Sequence, residues 1–384
     1  MVVHREVRTT ELRRTYGFEE VAIVPGDVTT NPELSVTDLT IGPFSFSTPV
    51  LASAMDAVAN PAFAGHMSRL GGLSVINLEG IQTRYDDPTD AIEEIIAADK
   101  DDVTTVFQRL YLQPIREDLI AKRVAEVKKT GAVCAVSLTP AMTKKYAPMA
   151  VEAGADILVV QSTVTTARHI SRSYRGLVLS EIIAELKVPV LVGNVVTYSA
   201  AMELMEQGID GLLVGVGPGA ACTTREVTGI GVPQVSGTLD CAAARDDFYA
   251  NGGKHVVIIT DGGIRTGGDL CKALAAGADG VMIGTPMAQT EEAPGKGFNW
   301  GMASPHPALP RGTRINVGVR GTLEEVLLGP SHRTDGTMNL IGALKICMSY
   351  VGATTIAEFH EKAELVVAPT IATEGKSYQR AGLI

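Results

Sequence analysis

A cysteine set in a glycine-rich turn is the first feature of this sequence able to do chemistry. The segment GVGPGAACTTREVTGIGVPQ, residues 215–234, puts three glycines into five positions and then presents Cys222, with Thr223, Thr224 and Arg225 beside it. A free thiol is only a few per cent thiolate at neutral pH, and a nearby cation or helix N-terminus raises that fraction, so the segment reads as a nucleophile loop. Its glycines let backbone N–H groups come close to an anion, and a phosphate could be held at the same turn. The G-x-G-x-G pattern is not a dinucleotide fingerprint. It falls late in the chain and lacks an acidic partner about twenty residues further on.

Two further segments share this character. ITDGGIRTGGD (259–269) ends an apolar run with an aspartate and two glycines, and MIGTP (282–286) ends another with a glycine before a helix start. Converging glycine N–H groups suit a phosphate, and Asp261 could accept hydrogen bonds from two neighbouring hydroxyls, as a ribose offers. Cys134, Cys271 and Cys347 lie in apolar or helical patterns and read as small buried hydrophobes. None of the seven histidines pairs at metal-ligand spacing, so zinc is not expected, and no G-x-S-x-G elbow supports a serine hydrolase.

Eight short apolar runs must position these loops: VLASAMD (50–56), LSVINLE (73–79), VCAVSLT (133–139), ILVVQST (157–163), VPVLVGNV (188–195), GLLVGVG (211–217), VVIITDGG (256–263) and GVMIGTP (280–286). Helical segments ending in glycine lie between most of them, which predicts a parallel sheet. Strands apolar on both faces, with polar or glycine residues at their C-terminal ends, predict one (β/α)8 TIM barrel spanning residues 1–384, its chemistry at that rim. An open doubly wound sheet is the alternative. The 80–132 gap reads as helices without a separate domain, 290–321 as a short active-site flap or lid, 338–361 as a final helical pattern and 362–384 as a C-terminal tail.

Composition limits the partners. A net charge of −10 disfavours nucleic acid, so a phosphate-bearing ligand must be small and held by a local site. Forty glycines with 45% hydrophobic residues fit a large core joined by tight turns. No run is long enough to span a membrane or act as a signal peptide, and five cysteines without framework spacing suit a reducing compartment; a cytoplasmic location is expected.

These segments, together with PVLASAMD and the GNVVT strand end, resemble the IMP dehydrogenase and GMP reductase superfamily. NLEGIQTRY (77–85), PRGTRINVG (310–318) and the lack of a regulatory insert are closest to the short bacterial IMP dehydrogenase-related family without CBS domains. The resemblance implies that Cys222 attacks C2 of IMP, that hydride passes to NAD, and that water releases XMP, in guanine nucleotide synthesis. It implies that Ser53 and Met55 contact the nucleotide, that Asp261 binds the ribose, and that N–H groups around Gly219, Ala220, Gly263, Gly284 and Thr285 take the phosphate. Met302 and Ala303 would hold the base, and Thr224 would help activate water. Gln161, Ser162, Thr163, Asn194, Gly215 and Gly217 would form the cofactor side. Carbonyls of Gly217, Gly219 and Cys222 match a monovalent-cation (K+) site, completed by Glu374 from a neighbouring subunit, which implies a homotetramer or an octamer.

The sequence departs from that pattern at several points. Ala220 stands in place of a phosphate-binding serine, and Gln161 stands where an aspartate faces the nicotinamide. The flap is cut short and lacks the Arg-Tyr pair that activates water. Arg311 falls where the family places the acid or amide that reads the purine edge, and Arg314 is the other nearby cation, so these two are the candidates for activating water. Two alternatives stay open: GMP reductase, which uses the same adduct, prefers NADPH and releases ammonia, and a non-catalytic barrel that binds purine nucleotides.

Overall fold

The structure is a computed structural model that describes residues 12–170, 176–302 and 314–368. The eight apolar runs form eight parallel strands: β1 Val50–Ala52, β2 Leu73–Asn77, β3 Ala135–Leu138, β4 Ile157–Gln161, β5 Val190–Val195, β6 Gly211–Val214, β7 Val257–Asp261 and β8 Gly280–Ile283. They pair in sequence order and close, β8 onto β1, through Val281 opposite Val50. The fold is therefore a (β/α)8 barrel and not an open sheet.

Closure follows from how the strand residues alternate. Leu51, Val75, Val159, Leu191, Leu213, Ile259 and Met282 fill the barrel interior, while their neighbours Val50, Ile76, Leu158, Val192, Leu212, Ile258 and Val281 pack outward against the helices. Both faces are dry, so period-two alternation of polarity is absent and the strands read as continuous apolar runs. Burying each such side chain contributes about 1.5–3 kcal/mol. Large and small residues interlock inside: a Cβ on Gly193 would sit 2.4 Å from Leu213 Cβ, so β5 can approach β6 only with glycine there.

Three short antiparallel pairs escape a reading based on apolar runs. Leu39–Ile41 pairs with Phe44–Phe46, and Leu39, Ile41 and Phe46 join the interior cluster. Phe298–Trp300 pairs with Arg314–Asn316, so the expected flap region is anchored by a hairpin flanking residues 303–313. Val21–Val24 pairs with Glu364–Val367, which corrects the reading of 362–384 as tail alone: ELVV supplies a strand as soon as VAIV is brought alongside. The final helical pattern is two helices, Leu340–Val351 and Ile356–Lys362, broken at Gly352, whose φ of +77° favours glycine. The 80–132 gap holds the helices Thr89–Ala97, Val103–Tyr111 and Glu117–Lys129.

Candidate active site

Where the strands end, their last residues turn polar, and a cavity of about 870 Å3 opens. β6 runs into Gly215, whose φ of +150° only glycine adopts readily; a Cβ there would lie 2.2 Å from the Asp261 carbonyl oxygen. The chain can then turn back over β7, and Pro218 meets Gly262 and Gly263, where added Cβ atoms would fall 3.0 and 3.2 Å from its ring. Two loops expected to share a ligand are thus in contact.

Cys222 sits partly exposed on the cavity wall. Its N–H donates to the Gly219 carbonyl at 3.0 Å, and its thiol donates to Thr224 Oγ1 at 3.2 Å. Thr224 is buried and opens the short helix Thr224–Thr228. Arg225 clasps the two limbs of this loop, donating to the Val232 carbonyl at 2.8 Å and to the Val216 carbonyl at 3.4 Å. Cys134, Cys241 and Cys271 are buried. Burial pushes Cys134 up to about 12 and raises Cys241 further, and Cys271 is raised chiefly by its bond with Cys347 and then by burial.

Asp261, at the end of β7, faces two amides. Asn194 Nδ2 and Gln161 Nε2 donate to the same carboxylate oxygen, Oδ2, at 2.8 and 2.9 Å, and Gln161 Nε2 also lies 3.1 Å from Asn194 Oδ1. Burial pushes the Asp261 carboxyl up to about 6, opposed by the bonds from Asn194 and Gln161. On the adjoining wall, Gly284 caps the short helix Thr285–Ala288 and lies beside Met55 and Ser53.

The cavity gathers the expected residues from all these elements. Ser53, Met55, Gly263, Gly284, Thr285 and Met302 line it, as do Gly215, Gly217, Gly219, Ala220, Cys222 and Thr224. Gln161, Ser162, Thr163, Asn194 and Asp261 complete the set. Ala303, Arg311 and Glu374 lie outside the described residues.

Arg314 stands apart from this set. It is not among the cavity-lining residues; its Nη1 donates to the carbonyls of Ile95 and Ile96 at 2.5 and 2.9 Å, and its guanidinium stacks 4.9 Å from the Phe298 ring centre. Those contacts make it a strut between the hairpin and the helix Thr89–Ala97. The hairpin is further held by a buried chain in which Trp300 Nε1 donates to Tyr111 Oη at 3.0 Å and Tyr111 Oη donates to Asp56 Oδ2 at 2.7 Å.

Several lining residues were not singled out from sequence. Thr139 Oγ1 donates to Glu79 Oε1 at 2.8 Å on the wall formed by the ends of β2 and β3. The signal was present, since Glu79 belongs to a polar strand end. Phe18, Glu19 and Glu20 line the cavity from the N-terminal segment, with Glu19 paired to Arg265 at 2.6 Å, and no local pattern announces them. Among the described residues no cluster of three or more His, Cys, Asp or Glu side chains could hold a metal ion, and no helix is long and apolar enough to cross a membrane.

Fold and site together define a thiol-bearing (β/α)8 barrel with a carboxylate and glycine loops converging on one cavity. The chain belongs to the IMP dehydrogenase / GMP reductase domain family, whose model matches residues 15–377. It is 38% identical over 358 residues to an uncharacterized oxidoreductase of Mycolicibacterium smegmatis, covering 91% of this chain and 96% of that one. Such coverage leaves that relative no length for inserted CBS domains. An inosine-5′-monophosphate dehydrogenase of Cryptosporidium parvum is 30% identical over 408 residues, 94% of each chain. A GMP reductase of Leishmania major is 35% identical over 250 residues, 56% of this chain and 46% of that one. The crystal structure of an IMP dehydrogenase/GMP reductase-like protein from Corynebacterium glutamicum superposes with a TM-score of 0.87 at 36% identity, over 93% of this chain and 95% of that one.

Proposed function

We propose that the cavity carries out covalent redox chemistry at C2 of a purine 5′-monophosphate, oxidising IMP to XMP. The observation that carries this reading is the placement of Cys222, hydrogen-bonded to Thr224, in one cavity with Asp261 and the glycine loops. The phosphate would rest on N–H groups around Gly219, Ala220, Gly263, Gly284 and Thr285. The ribose diol would donate to Asp261, and Ser53, Met55 and Met302 would border the base. Cys222 sulfur would bond to C2 as the C2=N3 electron pair moves onto N3, which takes up the thiol proton, Thr224 Oγ1 relaying it; loss of hydride from C2 and of that N3 proton restores the ring double bond, and water then adds to C2 and expels the Cys222 thiolate, its protons passing to the thiolate and to solvent. NAD, when bound, supplies the hydride acceptor. Gln161, Ser162, Thr163, Asn194, Gly215 and Gly217 would hold it, their amide, hydroxyl and backbone groups suiting hydrogen bonds to a carboxamide and to ribose hydroxyls.

Neutral carbonyls at Gly217, Gly219 and Cys222 suit a monovalent cation such as potassium in donor type, although the Gly219 carbonyl already accepts one backbone bond. Glu374 of a second copy would complete that site in a tetramer.

One observation favours a second reading, reduction of GMP to IMP with NADPH and release of ammonia. Arg314 donates to the Ile95 and Ile96 carbonyls and is not among the cavity-lining residues, and the reductive direction needs no activated water. The two readings separate when purified protein is given IMP with NAD, and GMP with NADPH, while nicotinamide absorbance and the purine product are followed. XMP with NADH supports the first; IMP with ammonia supports the second. Silence in both, with tight nucleotide binding, would leave only the non-catalytic barrel.

A further inference from the structure

The three side chains joined at the cavity floor come from strands that are not all neighbours. Gln161 ends β4, Asn194 lies in β5 and Asp261 ends β7, with β6 between the last two. Both amide donors converge on Asp261 Oδ2, while the amides meet each other at 3.1 Å. The other carboxylate oxygen, Oδ1, takes no part in these bonds, and all three residues line the cavity. A carboxylate gripped by two donors on one oxygen cannot rotate without breaking both bonds, so its second oxygen points one way before any ligand arrives.

We infer that Gln161 is a positioning residue for the nucleotide sugar: by holding Asp261 Oδ2 it aims Oδ1 at the ribose diol and so makes the site select ribonucleotides over 2′-deoxyribonucleotides. This rests on the purine-nucleotide reading above. The amide N–H supplies the donor, and a hydrophobe of similar length at position 161 would leave Asn194 alone to hold Oδ2. Discrimination of this kind follows from a site whose buried polar group goes unpaired when the ligand hydroxyl is missing. Gln161 therefore acts on substrate choice through Asp261 and touches no reacting atom.

Calorimetric titration of the full chain with GMP, dGMP, IMP and dIMP tests the inference without turnover. The wild type should bind each ribonucleotide about 10- to 100-fold more tightly than its 2′-deoxy counterpart. In Gln161→Met, ribonucleotide affinity should fall about tenfold with deoxynucleotide affinity unchanged, so that the ratio collapses. Gln161→Leu, which also lacks a donor, should show the same collapse and guards against a defect peculiar to the first variant. A purely structural role would weaken both sugars alike. Discrimination preserved in both variants, or absent from the wild type, overturns the inference while leaving the purine-nucleotide reading standing; no binding of any of the four overturns both.

Discussion

The two ends of the same strands obey opposite rules. Along their length β5, β6 and β7 bury Leu191, Leu213 and Ile259 in a dry interior, yet two or three residues later the chain reaches Asn194, Gly215 and Asp261. The interior tolerates no charge and gains stability from apolar contact. The mouth holds a carboxylate that burial has pushed up to about 6, which costs stability at neutral pH. Stability is thus concentrated in one layer and reactivity in the next, and a substitution should affect one without the other.

The sharpest way to break that contrast is at the thiol. Cys222→Ala should abolish turnover in whichever direction the protein runs, with nucleotide affinity held within about tenfold because phosphate and ribose contacts remain. Steady-state rates and calorimetry would read the two effects, and equal activity in the variant would sink the mechanism. Leu213→Ala should do the reverse. It should lower unfolding free energy by about 2–5 kcal/mol in urea melts, a cavity cost, with nucleotide affinity unchanged in the folded fraction. A smaller change in stability, of opposite sign, is expected for Asp261→Asn. An acid whose folded value is raised from 3.8 to about 6 lends its full stability below the lower value and loses it as pH rises through the upper one. The asparagine variant should therefore gain roughly 1–3 kcal/mol over the wild type in mildly alkaline buffer and nothing in acid, while binding ribonucleotides more weakly. Melting curves across pH would check this, and a pH-independent difference would contradict it.

Two weaker effects sharpen the comparison. Arg314→Met should lower stability by about 1–2 kcal/mol through loss of the Ile95 and Ile96 carbonyl contacts. Turnover per folded molecule should barely move, and a large fall in kcat would return Arg314 to the chemistry. Replacing sodium with potassium should raise the rate modestly; if the cation makes no difference, the carbonyl site leaves the account and Glu374→Ala should be silent.

Legibility in the sequence followed the same division. All eight barrel strands could be read because each is an apolar run bounded by turns, and the cysteine loop because its glycines mark where backbone must fold back on itself. The short antiparallel pairs were not legible, since three-residue strands such as Phe298–Trp300 have no periodicity to detect, and Val21–Val24 depends on a partner far along the chain. The contacts of Arg314 were hidden for a related reason. A cation near a reactive loop in sequence can turn to carbonyls of a different helix, and only packing decides that. The bond from Gln161 to Asp261 spans 100 residues and could not be inferred from either neighbourhood.

The most direct test of the central claim is a covalent one. Protein turning over its purine nucleotide would be quenched in acid, and its intact mass and proteolytic peptides compared with those of Cys222→Ala treated alike. The account predicts a purine-nucleotide adduct on the peptide that contains Cys222 and none in the variant. An adduct on another cysteine, or turnover by the variant without one, would contradict it.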